Sequence, residues 1–323
     1  MRAVVLNGFG QVDVLAVGDI PAPEPGPGEV LVEVVAAGVN RADLLQRRGY
    51  YPPPKGTSET LGLEVSGYIK ALGQDVTGWV VGDPVVALLA GGGYAAQVAL
   101  PAGQCAAPPN NVDLISAGAL MEIAATVVSN FAHVNVAAGE TILVHGGAGG
   151  IGSFAIPYAK TLDVRVITTV GSAAKADYAQ SIGADLAIDY HQDWAEAVMQ
   201  ATDGRGVDVV LDIIGAKYLE ANVKVLARGG RMVVIGLQGG TKGTLDLNRL
   251  LSKGATVTAT SLRFRPVADK AAIVAQVASQ VWPKLADGTI PLPPISRFAL
   301  EDVAAAHRQL ESGHNQGKIV LTL

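Results

Sequence analysis

Three glycines near the middle of the chain have the spacing of a phosphate-binding turn. Gly147, Gly149 and Gly152 match G-x-G-x-x-G, a pattern that lets the backbone approach a pyrophosphate and present a helix N-terminus to it. An apolar run, 141–144, precedes the turn, and apolar residues at helical spacing follow it. Because glycines also mark ordinary turns, the prediction depends on this strand-turn-helix context. The predicted dinucleotide-binding residues of the turn are Gly147, Ala148, Gly149, Gly150, Ile151 and Gly152.

The end of the next predicted strand indicates which dinucleotide is bound. An NAD-binding domain usually carries Asp or Glu about 20 residues past the turn, where the carboxylate accepts hydrogen bonds from the ribose hydroxyls. The segment 168–172 contains no carboxylate, and Ser172 and Lys175 offer a hydroxyl and an ammonium that can hold a 2′-phosphate. The predicted cofactor is therefore NADPH. The alternative for Lys175 is a solvated helix residue without a ligand.

Length and composition limit the partners and the location. A chain of 323 residues with 49% hydrophobic content can bury two cores, and its net charge of −5 without basic clusters argues against nucleic acid or an anionic membrane. A small-molecule substrate is the better prediction. The single cysteine, Cys105, excludes an intrachain disulfide and suits a reducing cytosol. We expect no signal peptide and no membrane helix, and therefore a cytoplasmic protein.

The predicted secondary structure that must position these residues changes near Pro109. Before it, strand-like runs alternate with turn-forming residues, which predicts an antiparallel β domain with one helix, 41–47, capped by Asn40. After it, a helical stretch leads into six apolar strands that alternate with helices, as in a doubly wound α/β domain. A long helix, 267–285, a helix from Glu301 and a closing strand, 318–323, have no place in that sheet, so we expect them to return to the first domain. The predicted domains are 1–120, 121–262 and the C-terminal return, 263–323.

Four segments add a family resemblance to this order of domains. They are AAGVNRADLLQRRGYYPPP, LGLEVSG, GGAGGIG and NQGKIVLTL. Together they resemble the zinc-free quinone oxidoreductases of the medium-chain dehydrogenase/reductase superfamily, and most of all those of the p53-induced type. The resemblance implies an α/β fold with a GroES-like antiparallel β domain and a six-strand Rossmann domain. It also implies direct hydride transfer from NADPH to a quinone without metal or flavin.

Comparison with the zinc alcohol dehydrogenases of that superfamily predicts that no metal is bound. Where those enzymes have a metal-binding Cys before an Asp, this chain has Asn40 before Asp43, and where they have Gly-His-Glu it has Gly62, Leu63 and Glu64. Amides and carboxylates alone are a poor ligand set for zinc. The five histidines show no paired spacing that would rebuild a site. A quinone is electrophilic enough to accept hydride without a Lewis acid.

The resemblance assigns catalytic roles to two residues. Tyr51, beside the prolines 52–54, is placed on the substrate side, where its phenol can donate a hydrogen bond or a proton to the oxygen that becomes negative. Its alternative is an aromatic side chain that packs over the pocket without an acid role. Asn40 is placed near the nicotinamide, although the helix cap explains the residue equally well.

The resemblance also extends the cofactor site. It adds residues at strand ends and near the C-terminus, where glycine permits close approach of the backbone. They are Gly171, Ser172, Lys175 and Tyr190 for the 2′-phosphate and adenosine, Ile213, Gly215, Gly236 and Leu237 for the nicotinamide half, and Asn315 and Lys318. Glu64 is expected to be structural, and His145 to belong to the core or to support the site from behind.

The sequence is compatible with two other functions, and it leaves the oligomeric state undecided. A reductase of 2-alkenals or enones would use the same cofactor, and a non-catalytic NADPH-binding sensor or structural protein would keep the cofactor site alone. The last strand of the predicted sheet, 256–262, would be an exposed edge in a monomer. We therefore expect a homodimer, with a tetramer as the alternative.

Overall fold

A computed structural model describes all residues of the chain, Met1 to Leu323. The chain divides into two compact units. The first unit contains Met1–Thr126, Leu262–Gly288 and Pro294–Leu323, and the second contains Val127–Ser261 and Thr289–Pro293. No helix of the chain combines the length and the apolar character that a membrane crossing requires.

The N-terminal part of the first unit is built mainly of antiparallel strands. In chain order its strands and helices are β1 (Arg2–Leu6), β2 (Leu15–Asp19), β3 (Glu29–Val39), α1 (Arg41–Arg47), β4 (Glu64–Leu72), β5 (Pro84–Leu88), β6 (Gln97–Pro101), β7 (Cys105–Ala106), α2 (Leu114–Ala117) and the first half of α3 (Met121–His133), which continues into the second unit from Val127. Strand β3 is the centre of the main sheet and pairs with β4 and β6, both antiparallel. The sequence did not predict β2, because its five residues end in Gly18 and Asp19, which are poor strand formers.

The second unit alternates strands and helices. Its elements are β8 (Thr141–His145), α4 (Gly150–Lys160), β9 (Arg165–Val170), α5 (Ala173–Ser181), β10 (Leu186–Asp189), α6 (Trp194–Ala201), β11 (Val207–Asp212), α7 (Leu219–Val225), β12 (Leu226–Val234), α8 (Leu247–Lys253) and β13 (Thr256–Ala259). The six strands form one sheet in the order β10-β9-β8-β11-β12-β13, and every neighbouring pair is parallel. This is the strand order of a doubly wound nucleotide-binding sheet. The predicted α/β fold class is confirmed.

The C-terminal segment joins the main sheet of the first unit. Its elements are α9 (Val267–Gln280), α10 (Trp282–Ala286), β14 (Ile295–Ala299), α11 (Val303–Ser312) and β15 (Lys318–Thr322). Strand β15 pairs antiparallel with β3, and β14 lies parallel to β15. The single helix expected over 267–285 is two helices, because Pro283 lies in the first turn of α10 and cannot donate a backbone hydrogen bond to the preceding turn.

The only cysteine lies in the short strand β7 and packs in the core of the first unit. Its side chain is buried among apolar residues. Burial raises the pKa of the Cys105 thiol to about 12. The side chain is therefore a protonated thiol that behaves as a small hydrophobic group.

A buried ion pair connects three strands of the first unit. Lys318, the first residue of β15, places Nζ 2.7 Å from Oε1 of Glu64, the first residue of β4. The same ammonium donates to Oδ1 of Asn40, which follows β3, at 2.5 Å. The side chains of Lys318 and Glu64 are 3% and 0% exposed. Because the Glu122 backbone N–H donates to the other Glu64 oxygen at 2.9 Å, the start of α3 is attached to this cluster as well.

Removing one partner of this pair should destabilise the protein strongly. We expect Lys318→Met to lower the free energy of unfolding by about 3 to 5 kcal/mol, because the Glu64 carboxylate would stay buried without its counter-charge. The double variant Lys318→Met, Glu64→Gln should recover most of that loss, since its side chains are neutral and the amide oxygen still accepts from Glu122. Urea titration followed by circular dichroism and tryptophan fluorescence measures the free energy of unfolding of both variants.

An exposed ion pair on the same sheet provides the control. Lys70 on β4 lies 3.0 Å from Glu33 on β3, with side chains 41% and 58% exposed. Lys70→Met should change the free energy of unfolding by less than about 1 kcal/mol. Equal losses for Lys318→Met and Lys70→Met, or no recovery in the double variant, would contradict this account of the buried pair.

Candidate functional site

The glycine turn of the second unit is as close-packed as its sequence predicts. A Cβ atom on Gly147 would lie 2.2 Å from Oγ1 of Thr168 on β9, and one on Gly152 would lie 2.4 Å from the Gly146 carbonyl oxygen. Side chains at both positions are excluded by the protein itself. A Cβ on Gly149 would meet only the Gly146 oxygen, at an ordinary 3.4 Å. Protein packing therefore leaves open the side of the turn from which a ligand would approach.

The first turn of α4 supplies the donors of this candidate site. The helix begins at Gly150 after an extended Gly149. The first N–H groups of a helix have no partner within the helix, and they carry the positive end of its dipole. A pyrophosphate matches both features. The geometry around the turn thus fits the dinucleotide that the sequence predicts.

The end of β9 brings together the residues predicted for the 2′-phosphate. A Cβ on Gly171 would lie 2.3 Å from the phenol oxygen of Tyr190, so these two predicted residues are neighbours. Ser172 caps α5, and its Oγ accepts from the Lys175 backbone N–H at 3.4 Å. No carboxylate occurs between Thr168 and Ser172. The contacts of Lys175, Ser172 and Tyr190 with a cofactor remain predictions.

A buried histidine supports the turn from behind. Nε2 of His145, the last residue of β8, lies 2.7 Å from the amide oxygen of Asn222, and Nδ1 lies 2.9 Å from the Thr169 hydroxyl. The amide oxygen can only accept, so Nε2 carries the proton and Nδ1 accepts from Thr169. Burial lowers the pKa of His145 to about 4. The ring is therefore neutral, and it packs edge-on against Trp194 and Tyr218.

The ends of β11 and β12 meet beside the turn. Asp212, the last residue of β11, accepts from the N–H groups of Ile214 and Gly215 at 2.8 and 2.9 Å. Gln238, which follows Gly236 and Leu237, donates its backbone N–H to the Ile213 backbone oxygen at 3.3 Å. The four residues predicted for the nicotinamide half thus form one neighbourhood. Sequence reasoning missed Asp212, although a carboxylate that ends an apolar strand before glycine was a usable signal.

In the first unit, the structure groups Asn40 with Lys318 rather than with Tyr51. Asn40 donates from Nδ2 to Glu64 Oε1 at 3.0 Å and accepts from Lys318, so both ends of its amide are occupied. Its helix-capping position before α1 is as predicted, and Asp43 completes the cap by accepting from the Asn40 N–H at 2.7 Å. Asn315 bonds locally, since its Nδ2 donates to the Gly317 backbone oxygen at 3.3 Å. The cofactor contacts of Asn40, Asn315 and Lys318 remain predictions.

Asp43 belongs to a second buried cluster. It accepts from the Gly62 N–H at 3.1 Å and from the Tyr94 hydroxyl at 3.0 Å. Burial raises the pKa of its carboxyl group to about 6. Behind it, the fully buried Arg47 bonds to His307 of α11, and burial beside Arg47 lowers the pKa of His307 to about 3. Local sequence patterns carry no sign of these pairs, whose partners are far apart along the chain.

Tyr51 lies on the proline-rich loop with an arginine and a phenylalanine against its ring. The guanidinium of Arg263 lies 5.3 Å from the ring centroid, and the Phe264 ring packs edge-on at 5.4 Å. The neighbouring Tyr50 is 78% exposed. Of the two tyrosines, Tyr51 is therefore the one held in a defined position.

The positions that bind metal in the zinc enzymes hold unsuitable side chains. Asn40 is bonded to Lys318, whose ammonium would repel a cation, and Leu63 is a buried apolar residue. No group of three or more His, Cys, Asp or Glu side chains is placed to hold a metal ion. The donor set does not fit zinc.

Two family models match the chain. The family model for the alcohol dehydrogenase GroES-like domain matches residues 26–111, and the model for zinc-binding dehydrogenases matches residues 150–278. The zinc in the second description does not fit the residues of this chain. A quinone oxidoreductase from Pseudomonas aeruginosa is 34% identical over 99% of both chains. A phenolphthiocerol/phthiocerol polyketide synthase from Mycobacterium tuberculosis is 30% identical over 97% of this chain, which spans only 14% of that protein's length.

Solved structures agree with this assignment. The Escherichia coli quinone oxidoreductase in complex with NADPH has a TM-score of 0.91, 29% identity and full coverage of both chains. A mycobacterial protein in complex with NADPH has a TM-score of 0.92, 33% identity and full coverage of both chains. The CurK enoyl reductase has a TM-score of 0.88 and 26% identity, with coverage of 99% of this chain and 98% of its own. The resemblance seen in the sequence is confirmed: the chain belongs to the medium-chain dehydrogenase/reductase superfamily and, within it, to the family of the quinone oxidoreductases.

Proposed function

We propose that the protein reduces quinones with NADPH by direct hydride transfer, without metal or flavin. The observation that carries the proposal is the end of β9, where Ser172 and Lys175 stand in place of a carboxylate. An ammonium at this position favours a 2′-phosphate, and the segment 168–172 has no carboxylate to repel one. The NADPH complexes of two structural relatives support the same cofactor.

In this reaction, different residues of the chain bind the cofactor and the quinone. The glycine turn and the first turn of α4 hold the pyrophosphate, and Lys175 selects the phosphorylated ribose. NADPH, when bound, supplies the hydride. Tyr51 contacts the quinone and can donate a hydrogen bond to the oxygen that gains negative charge. Because quinones also take protons from water, a packing role for the Tyr51 ring alone is compatible with this reaction.

An enone reductase is the second candidate. The structural similarity to an enoyl reductase and the sequence similarity to polyketide synthases favour it. The cofactor half of the site would be the same, and the acceptor would be a conjugated C=C bond. Product analysis separates the two functions, since only the enone reductase yields a saturated bond.

Steady-state assays test the reaction directly. We expect oxidation of NADPH with 1,2-naphthoquinone and 1,4-benzoquinone, followed by the absorbance of the reduced nicotinamide, and a lower rate with 2-alkenals. Absence of turnover with both quinones would contradict the proposed reaction. If NADPH still bound and a broad acceptor panel gave no turnover, the protein would be a non-catalytic NADPH-binding protein, a sensor or structural protein.

Lys175→Ala tests the cofactor preference. We expect the ratio of NADPH to NADH affinity to fall about tenfold to about 100-fold, the equivalent of one charge-assisted hydrogen bond. Isothermal titration with each dinucleotide measures the ratio. Lys224→Ala is the matched control, because Lys224 is half-exposed on α7 and 4.0 Å from Glu196. An unchanged ratio in Lys175→Ala would contradict our account of the 2′-phosphate pocket.

We also propose a homodimer in the cytoplasm. The support for the assembly is β13, which ends the six-stranded sheet, and the exposed leucines 247 and 251 on the preceding α8. Pairing of β13 across a two-fold axis would cover this edge. The single buried cysteine supports the reducing compartment.

Light scattering tests the assembly. We expect twice the chain mass of 33.1 kDa. Four times that mass would indicate a tetramer that keeps the same edge contact, and a monomer mass would contradict the proposal. An Ala259→Pro variant in β13 should shift a dimer toward monomer. The next residue, Thr260, donates its N–H to Val234 of β12, so the N–H of Ala259 faces the open edge, and proline removes this donor.

A further inference from the structure

We propose that Arg263 is a positioning residue for quinone reduction and that, together with Gln46, it holds the loop that carries Tyr51. We call residues 50–59 the tyrosine loop. The inference rests on the proposed function, because it concerns the residue that we assign to the quinone. Arg263 itself contacts neither the quinone nor the cofactor in this account, and it acts through the loop and through the Tyr51 ring.

Arg263 fixes the beginning of the tyrosine loop. The residue is 4% exposed and donates from Nη1 to the Tyr51 backbone oxygen at 3.2 Å. The other donors reach the Ala90 oxygen from Nε at 2.8 Å and the Gln46 amide oxygen from Nη2 at 2.8 Å. One planar group thus joins the tyrosine loop, α1 and the segment after β5. A lysine could not make three bonds in three directions fixed by one plane.

Gln46 fixes the other end of the same loop. Its Nε2 donates to the Glu59 backbone oxygen at 2.7 Å, while its Oε1 accepts from Arg263. Gln46 is 3% exposed; its bond to Arg263 is buried, and its bond to Glu59 is partly buried. Tyr51 and Glu59 are therefore connected through two buried side chains, and neither end of the loop can shift without breaking one of these bonds.

These polar contacts matter because the loop is poorly packed on one side. A cavity of about 390 Å³ is lined by Gln46, Pro52, Pro53 and Glu59 among others. Apolar packing against the loop is therefore incomplete there. On the other side Arg263 lies over the Tyr51 ring at 5.3 Å, and an adjacent phenylalanine packs edge-on against it at 5.4 Å. The backbone bond and the ring contact together define where the phenol lies.

The consequence is a defined loss of activity when the guanidinium is removed. A displacement of about 1 Å of a group that contacts substrate can cost about 100-fold in rate. We expect Arg263→Met to lower kcat/KM for 1,2-naphthoquinone by about tenfold to about 100-fold and to raise KM. NADPH affinity should stay within about twofold, because the contacts of Arg263 lie with the tyrosine loop, α1 and Ala90. Arg263→Lys should retain the contact with the Tyr51 ring and therefore lower kcat/KM less than Arg263→Met does.

A double-variant cycle separates positioning from general damage. In a Tyr51→Ala background, Arg263→Met should change kcat/KM by less than about twofold, since the ring it positions is absent. Its effect on the melting temperature should persist in both backgrounds. Three results would each overturn the inference: equal losses of kcat/KM in both backgrounds, no loss in the otherwise unchanged chain, or unchanged kcat/KM in Tyr51→Ala alone.

A second arginine with several protein hydrogen bonds, whose side chain is 22% exposed, provides the control. Arg231 on β12 bonds to Glu140 and to the Val134 and Asn135 backbone oxygens. Arg231→Met should lower the melting temperature and leave the KM for quinone unchanged. An increase in KM as large as that of Arg263→Met would overturn the inference.

Gln46→Met covers the case in which Arg263→Met does not fold. This variant breaks the bond to Glu59 and leaves the Arg263 bond to Tyr51. We therefore expect a smaller loss of kcat/KM than in Arg263→Met, and this loss should again disappear in the Tyr51→Ala background. A Gln46→Met variant with unchanged kinetics would overturn the inference. Failure of the proposed function is distinguishable, because the unaltered protein would then oxidise no NADPH with any quinone.

Discussion

The contact between the Lys318 ammonium and the Glu64 carboxylate is the constraint on which the first unit depends. Both groups lie out of reach of water, and each satisfies the other's charge. Their positions at the first residues of β4 and β15 fix how these strands join β3. Asn40 completes the cluster with both ends of its amide. Three polar side chains thus satisfy one another's charges and hydrogen-bonding groups inside the first unit.

The second unit uses buried polar groups in another way. His145 and Asp212 end adjacent strands of the parallel sheet, and each hydrogen-bonds to groups beside it rather than to a charged partner. The neutral imidazole and the backbone-bonded carboxylate hold the turns that follow β8 and β11. Ligands of doubly wound sheets approach these strand ends. The surface offered to a ligand consequently consists mainly of glycine and backbone N–H groups, while the supporting side chains stay behind it.

The sequence predicted those features that depend on local pattern. The glycine turn, the six strands and the cap position of Asn40 all follow from neighbouring residues, and the structure has them. Strand β14 was missed because only five residues form it and its side chains lie mostly at an intermediate depth. Lys318 with Glu64, and Arg263 with Gln46, could not be predicted, because 254 and 217 residues separate the partners. Only the folded chain brings such pairs together, so their roles needed the structure.

The burial of Cys105 has a consequence for a protein exposed to electrophiles. Quinones are attacked by thiolates in conjugate addition, and an accessible cysteine with an ordinary pKa would be arylated over repeated turnovers. The only cysteine of this chain lies in β7, buried and protonated. Under the proposed function, the chain offers no thiolate to its own substrate. Resistance to inactivation by its substrate would then be a property of composition and packing and would require no protective mechanism.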